Sequence, residues 1–248
     1  MPASPARSRL RALLSQHYCN LIMKHPPENW SVPSPDGCYR SGEGDPLGLV
    51  LLGDSLAQGL GAPTPQGTLG AYLAEGLARA IGRPVELTTL ARVGATTKSM
   101  QSQVARAAAL PPGIAVIIVG GNDAMLPATI GRAARRFSQA LDTLREAGWQ
   151  LIVVPCPDPA RAPGLRTLVR LLAAPRSHRL ARLQTRAALK AQATIAPSSV
   201  EEFLDRPMEL LSPDGLHPSP LGYAEHAARM LPSLLSAAQK FTFQSARA

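Results

Sequence analysis

Aromatic side chains are scarce in this chain: four Phe, two Trp and four Tyr among 248 residues. Aromatics interleaved with basic residues, on which single-stranded nucleic acid stacks, are therefore missing, and no nucleic-acid partner is expected. Helices and strands must pack with Leu, Val, Ile and Ala instead. Lysine is also scarce. Four Lys stand beside 22 Arg, and with 17 acidic residues the net charge is +9. That excess reads either as a compositional Ala/Arg bias or as attraction to anionic partners such as a membrane surface or acyl phosphates. The three cysteines, Cys19, Cys38 and Cys156, lie far apart with no CxxC or Cys/His pattern. Their odd number and spacing argue against a disulfide framework or a metal site. Cys156 ends an apolar run and reads as a buried, reduced thiol. No apolar run reaches the roughly 18 residues of a spanning helix. The basic N-terminus has no uninterrupted apolar segment, so neither a secretory leader nor a membrane span is expected, and the cytoplasm is the expected location. Internal repeats are absent.

What is present falls into three parts. Residues 1–46 form an extension: a basic amphipathic helix over Arg9–Lys24, then a Pro-, Gly- and Ser-rich wrap from Pro26 to Pro46. Residues 47–240 form the main domain, and 241–248 a tail. Within the main domain, short apolar runs alternate with helical periodicities. Strands are expected at Leu47–Leu52, Val85–Ala91, Ile114–Val119 and Gln150–Pro155, with a weak fifth near Thr194–Val200. Helices are expected at Thr68–Ile81, Thr96–Leu110 with Thr96 or Thr97 as cap, Thr129–Ala147, a long stretch to about Ala193, and Pro218–Gln239. This alternation predicts a parallel sheet of about five strands between two helical layers. Ligands then bind outside the carboxyl ends of the strands.

Those strand ends carry the chemistry. Gly53-Asp54-Ser55 follows the first strand, Gly94 lies in the loop after the second, and Gly120-Gly121-Asn122-Asp123 follows the third. Asp214-Gly215-Leu216-His217-Pro218 precedes the last helix. Ser55 is either a helix N-cap or a nucleophile exposed on a sharp turn. A phosphate cradle does not fit: no Lys follows as in a P-loop, and the second strand ends in Leu90-Ala91-Arg92 without the carboxylate of a dinucleotide site. Leu56–Ala62 also lacks the hydroxyls of a flavin-phosphate loop. His217 follows Asp214 by three residues, so one carboxylate can hold its Nδ1–H and turn Nε2 towards the serine. The Ser55 and Gly94 backbone N–H groups and the Asn122 side-chain amide are the available oxyanion donors. The bland readings are an exposed capping Asp with an idle His, and Asn122 as a turn residue.

Four such blocks in this order resemble the SGNH hydrolases, the GDSL-type esterases and lipases, over roughly Leu47 to Leu235. The resemblance implies a flavodoxin-like three-layer α/β/α sandwich and hydrolysis of acyl esters with no metal and no cofactor. It assigns Ser55 as nucleophile, His217 as base and Asp214 as its orienter, with Ser55, Gly94 and Asn122 forming the oxyanion hole. An acyltransferase with the same residues, or a non-catalytic anion- or lipid-binding protein, are the alternatives. Scarce aromatics favour short or medium acyl chains. The resemblance does not cover 1–46 or the stretch from Asp158 to Lys190. In the latter, Arg161, Arg166, Arg170, Arg176, Arg179, Arg182, Arg186 and Lys190 occur with no acidic residue among them. This stretch reads either as a solvated helix face or as a cationic wall beside the site, suited to anionic acyl substrates, a thioester carrier or peripheral membrane contact.

Overall fold

The apolar run that begins at Leu47 is buried at every position but Gly48, because helices cover both of its sides. The computed structural model describes residues 20–27, 30–198 and 200–245. In chain order its elements are β1 (Gly37–Tyr39), β2 (Leu47–Gly53), α1 (Ser55–Gln58), α2 (Leu69–Ile81), β3 (Val85–Thr89), α3 (Gln101–Ala108), β4 (Ile114–Ile118) and α4 (Gly121–Met125). They continue as α5 (Ile130–Glu146), β5 (Gln150–Val154), α6 (Thr167–Lys190), β6 (Thr194–Ile195), α7 (Val200–Asp205), α8 (Pro207–Leu210) and α9 (Pro220–Ser245).

Strand alternation divides the core between two layers. Leu47, Leu49 and Leu51 of β2 pack with Leu69, Leu73 and Leu77 of α2 and with Tyr223, Met230 and Leu234 of α9. Val50 and Leu52 point the other way, onto Val104 of α3, Phe137, Leu141 and Leu144 of α5 and Ala188 of α6. Each such side chain, fully buried, contributes about 1.5–3 kcal/mol, so these two clusters dominate the drive to fold.

The sheet order is β1-β3-β2-β4-β5-β6, with β2 to β6 parallel. Counting only the parallel strands, this is the 2-1-3-4-5 order of flavodoxin-like folds. The order reverses at β2, and the cleft between the carboxyl ends of β2 and β4 is the switch point. The three-layer expectation therefore matches the architecture, with a corrected strand count of six. The added strand is β1, which pairs antiparallel with β3 at the sheet edge, Cys38 opposite Glu86. It lies within the stretch read as an extended wrap, and three residues are too few to show a period. Asp36 secures it by accepting from the Thr89 N–H at 2.7 Å.

Three helix boundaries also differ. α3 starts at Gln101 rather than Thr96, because Thr97 is drawn away to Asp123. α9 starts at Pro220, after a bridge between Leu211 and Pro218. It then runs to Ser245, so residues 241–245 of the expected tail are helical. Most of the expected N-terminal helix lies outside the described residues. Its end, residues 20–22, is helical, and Met23 then pairs antiparallel with Leu165. Cys156 is buried, as its place in the sequence suggested.

Candidate active site

β2 ends in a turn that only glycine permits. Gly53 has φ 136°, and a Cβ there would run into the Ile118 carbonyl of the neighbouring strand. Asp54 then caps α1, accepting from the Leu56 N–H at 3.2 Å. Ser55 is the first residue of that helix, so its own N–H has no acceptor inside it.

The loop before α9 supplies the partner. Gly215 N–H donates to Ser212 O at 2.9 Å, and Ser212 N–H donates to His217 O at 2.8 Å, closing a tight turn. Asp214 sits inside it. Its Oδ1 accepts from Ser212 Oγ at 2.9 Å, Leu216 N at 2.8 Å and His217 N at 2.9 Å. Oδ2 is left for His217 Nδ1, at 2.6 Å. His217 Nε2 is 2.9 Å from Ser55 Oγ, across 162 residues of sequence. Burial would raise the Asp214 pKa, but the bonds from His217 and the Leu216 N–H outweigh it and hold the carboxyl at about 2. An ionised carboxylate only accepts, so Nδ1 carries the proton and the Nε2 lone pair faces the serine hydroxyl. The structure thus brings Ser55, His217 and Asp214 into one hydrogen-bonded chain.

Asn122 and Gly94 approach from the flanking strands. The Asn122 side-chain amide donates to Ala95 O at 2.9 Å, which ties the start of α4 to the Gly94 loop and leaves the amide a second N–H. Gly94 occupies φ 75° with open space around it. Gln58 accepts from the Val93 N–H at 2.6 Å and holds the same loop from below. Asp123 is buried and accepts from both the Thr97 N–H and hydroxyl at 2.8 Å.

Several supporting residues were not foreseen. The buried Gln103 side chain spans Gly53, accepting from its N–H at 2.7 Å and donating to its carbonyl at 3.0 Å. Gln184 does the same for the next strands, accepting from Cys156 N at 2.7 Å and donating to Val119 O at 2.9 Å. On sequence alone both look like ordinary polar helix residues. Arg176, one of the basic residues read as a solvated helix face or a cationic wall beside the site, points inwards. Its guanidinium donates to the carbonyls of Asp123, Ala124, Leu126 and Ala128 at 2.6–3.0 Å, tying off the end of α4. Trp30, in the Pro-rich extension, meets the His217 ring edge-on, with centroids 6.5 Å apart. It packs with Ile22, Met23, Leu165, Met125 and Leu216 into an apolar wall beside the histidine. No signal in the sequence links Trp30 to this site. Among the described residues, no group of three or more His, Cys, Asp or Glu could hold a metal ion.

A flavodoxin-like switch point carrying this serine–histidine–aspartate chain defines the SGNH class of α/β hydrolases, the class the four sequence blocks resembled. More particularly, the chain belongs to the GDSL-like lipase/acylhydrolase family, whose profile matches residues 51–225. It is 34% identical over 207 residues to a GDSL-like esterase of Mycobacterium tuberculosis, a match covering 77% of this chain and 66% of that protein. The chain thus spans just under two-thirds of that relative's length. Of solved structures, TesA superposes with a TM-score of 0.64 at 19% identity, covering 77% of this chain and 99% of its own. A lipase/acylhydrolase from Enterococcus faecalis gives 0.59 at 20%, covering 76% and 95%. At these identities the likeness is one of fold. Family membership places the chain among esterase and lipase enzymes.

Proposed function

We propose that this chain hydrolyses carboxylic acyl esters through an acyl-enzyme on Ser55. The observation that carries the reading is the Asp214–His217–Ser55 chain, with links of 2.6 and 2.9 Å. Ser55 Oγ attacks the ester carbonyl carbon while His217 Nε2 takes its proton. The imidazolium so formed sits against the ionised Asp214 carboxylate. The carbonyl oxygen becomes an oxyanion beside the Ser55 N–H, the Gly94 N–H and the second N–H of the Asn122 amide. Each donor of this kind is worth about 10²–10³ in rate. Collapse breaks the ester bond, and His217 returns the proton to the leaving alcohol. Water then attacks the acyl-enzyme with His217 again as base, releasing the acid and restoring Ser55. Asp54 is not a second base at this centre, because its carboxyl caps α1. The apolar wall of Trp30, Met125 and Leu216 is the surface against which an acyl or alkyl group would lie.

The test is turnover of nitrophenyl acetate, butyrate, octanoate and laurate by wild type and Ser55→Ala. Wild type should turn over at least one of them, with a preference that reports the length of the apolar wall. Ser55→Ala should lose about 10⁴-fold or more in kcat. Equal turnover by the two proteins would remove Ser55 from the reaction.

A further inference from the structure

The outer face of α6 carries an arrangement that ester hydrolysis does not use. Leu168, Leu171 and Leu172 are 69%, 68% and 63% exposed, and Leu21, beside them, is 62% exposed. Spacings of three and four residues put the first three on one side of the helix. Leu21 is brought there by the Arg166 N–H, which donates to Ile22 O at 2.9 Å, and by the pairing of Met23 with Leu165. One exposed leucine is ordinary, but four together on a small domain mark a contact surface. Their chain neighbours Ile22 and Val169 pack with Met23, Leu165 and Leu216, the residue before His217. The patch thus adjoins, through Val169 and Ile22, the apolar wall that meets the histidine.

The same face continues as positive charge. Arg179, Arg182 and Arg186 follow Leu172 and Pro175 along the exposed side, and Lys190 ends the helix. Arg166 and Lys24 are exposed at its start. Arg176 turns inwards and is excluded from the count. From Arg161 to Lys190 there is no acidic residue. In a second copy of this chain, a parallel two-fold contact of this face would set like charges against each other, and an antiparallel one would set leucines against arginines. An anionic bilayer complements both halves: leucines in the headgroup–acyl boundary, arginines on the lipid phosphates. Among the described residues no helix is long and apolar enough to cross a membrane, so the contact is one of lying on the surface.

We propose that the outer face of α6, with Leu21, docks this protein on anionic lipid bilayers. The docking itself does not depend on the chemistry assigned to Ser55, and it is read without turnover. The test is co-sedimentation of the full chain carrying Ser55→Ala with vesicles of phosphatidylcholine alone or mixed with phosphatidylglycerol. Binding should be at least about tenfold tighter to the anionic vesicles and weaken with salt. Leu168→Ser/Leu171→Ser/Leu172→Ser should lower it by about tenfold or more. Arg179→Gln/Arg182→Gln/Arg186→Gln should abolish the preference for anionic lipid. Both triple variants, with Ser55 intact, should keep wild-type turnover of soluble nitrophenyl acetate, which shows that they fold. Failure of the parent protein to bind anionic vesicles would overturn the proposal, as would either triple variant binding like the parent. Two further results would do the same: self-association lost in the leucine variant with no vesicle binding, or an arginine variant changed only in KM for soluble anionic esters.

Discussion

Two loops of the rim each bury an aspartate within electrostatic reach of His217, and they treat it in opposite ways. Asp54, at the end of β2, is 7% exposed, and Asp214, before α9, is 6% exposed. Burial raises Asp54 to about 7, helped by the nearby Asp123 and opposed by its backbone bonds and His217. Asp214 is held at about 2 although burial acts on it too. The difference lies in donors. Asp214 takes four hydrogen bonds from side chains and backbone, one of them from the imidazole ring. Asp54 takes only backbone bonds, a longer one from Leu56 and one from Gly120, and it shares its surroundings with a second buried carboxylate. Burial alone therefore does not tell a carboxylate that holds the histidine from one that caps a helix. The count and kind of donors does, and here it leaves one aspartate charged for the histidine and the other about half-protonated at pH 7 in the cap of α1.

The comparison breaks most clearly on activity. Asp214→Asn should lower kcat for nitrophenyl acetate by about 10⁴-fold, because the amide favours the wrong tautomer of His217. Asp54→Asn keeps an acceptor for the Leu56 N–H and should stay within about tenfold of wild type. Equal losses would erase the distinction. Stability sharpens it next. A carboxyl raised from 3.8 to about 7 stabilises the fold when protonated, and that contribution is lost as pH rises from about 4 to about 7, roughly 4 kcal/mol in all. Asp214 acts in the opposite sense, its stabilisation lost as pH falls from about 4 to about 2. His226, lowered by burial to about 4, also favours the folded state as pH rises. The cleaner quantity is therefore wild-type stability minus that of Asp54→Asn, followed by urea unfolding. It should fall by several kcal/mol between pH 4 and pH 7, and a flat difference would show that Asp54 is ionised throughout. The smallest effect concerns the ring that Asp214 orients. Trp30→Ala removes the edge-on neighbour of His217 and part of the apolar wall. It should raise KM for the longer esters about three- to tenfold with a smaller change for acetate, since each buried methylene is worth about 0.8 kcal/mol. An equal change for all esters would assign Trp30 to packing alone.

Much of this was legible in the sequence. The parallel strands appear as short apolar runs, and the Asp214–His217 pair appears as a spacing of three in a glycine turn. The long link between Ser55 and His217 follows from topology, since both lie on the rim where ligands meet such sheets. What was hidden depends on which way a side chain faces. Gln103 and Gln184 look like surface residues until they are seen bonded to strand-end backbone. Arg176 is indistinguishable in sequence from Arg179, yet one ties off α4 and the other faces solvent. Thr97 reads as a helix cap because nothing local reveals that Asp123, 26 residues later, claims it. β1 and Trp30 come from a Pro-rich stretch, and the contacts that place them, with β3 and with His217, are to distant parts of the chain.

The most direct test of the account is to trap the nucleophile. Wild-type protein and Ser55→Ala, treated with a fluorophosphonate ester, would be digested and read by peptide mass spectrometry. The account predicts a single phosphonyl adduct on Ser55 of the wild type, formed in parallel with loss of esterase activity, and none on the variant. An adduct on another residue, or unchanged activity with Ser55 fully labelled, would contradict it.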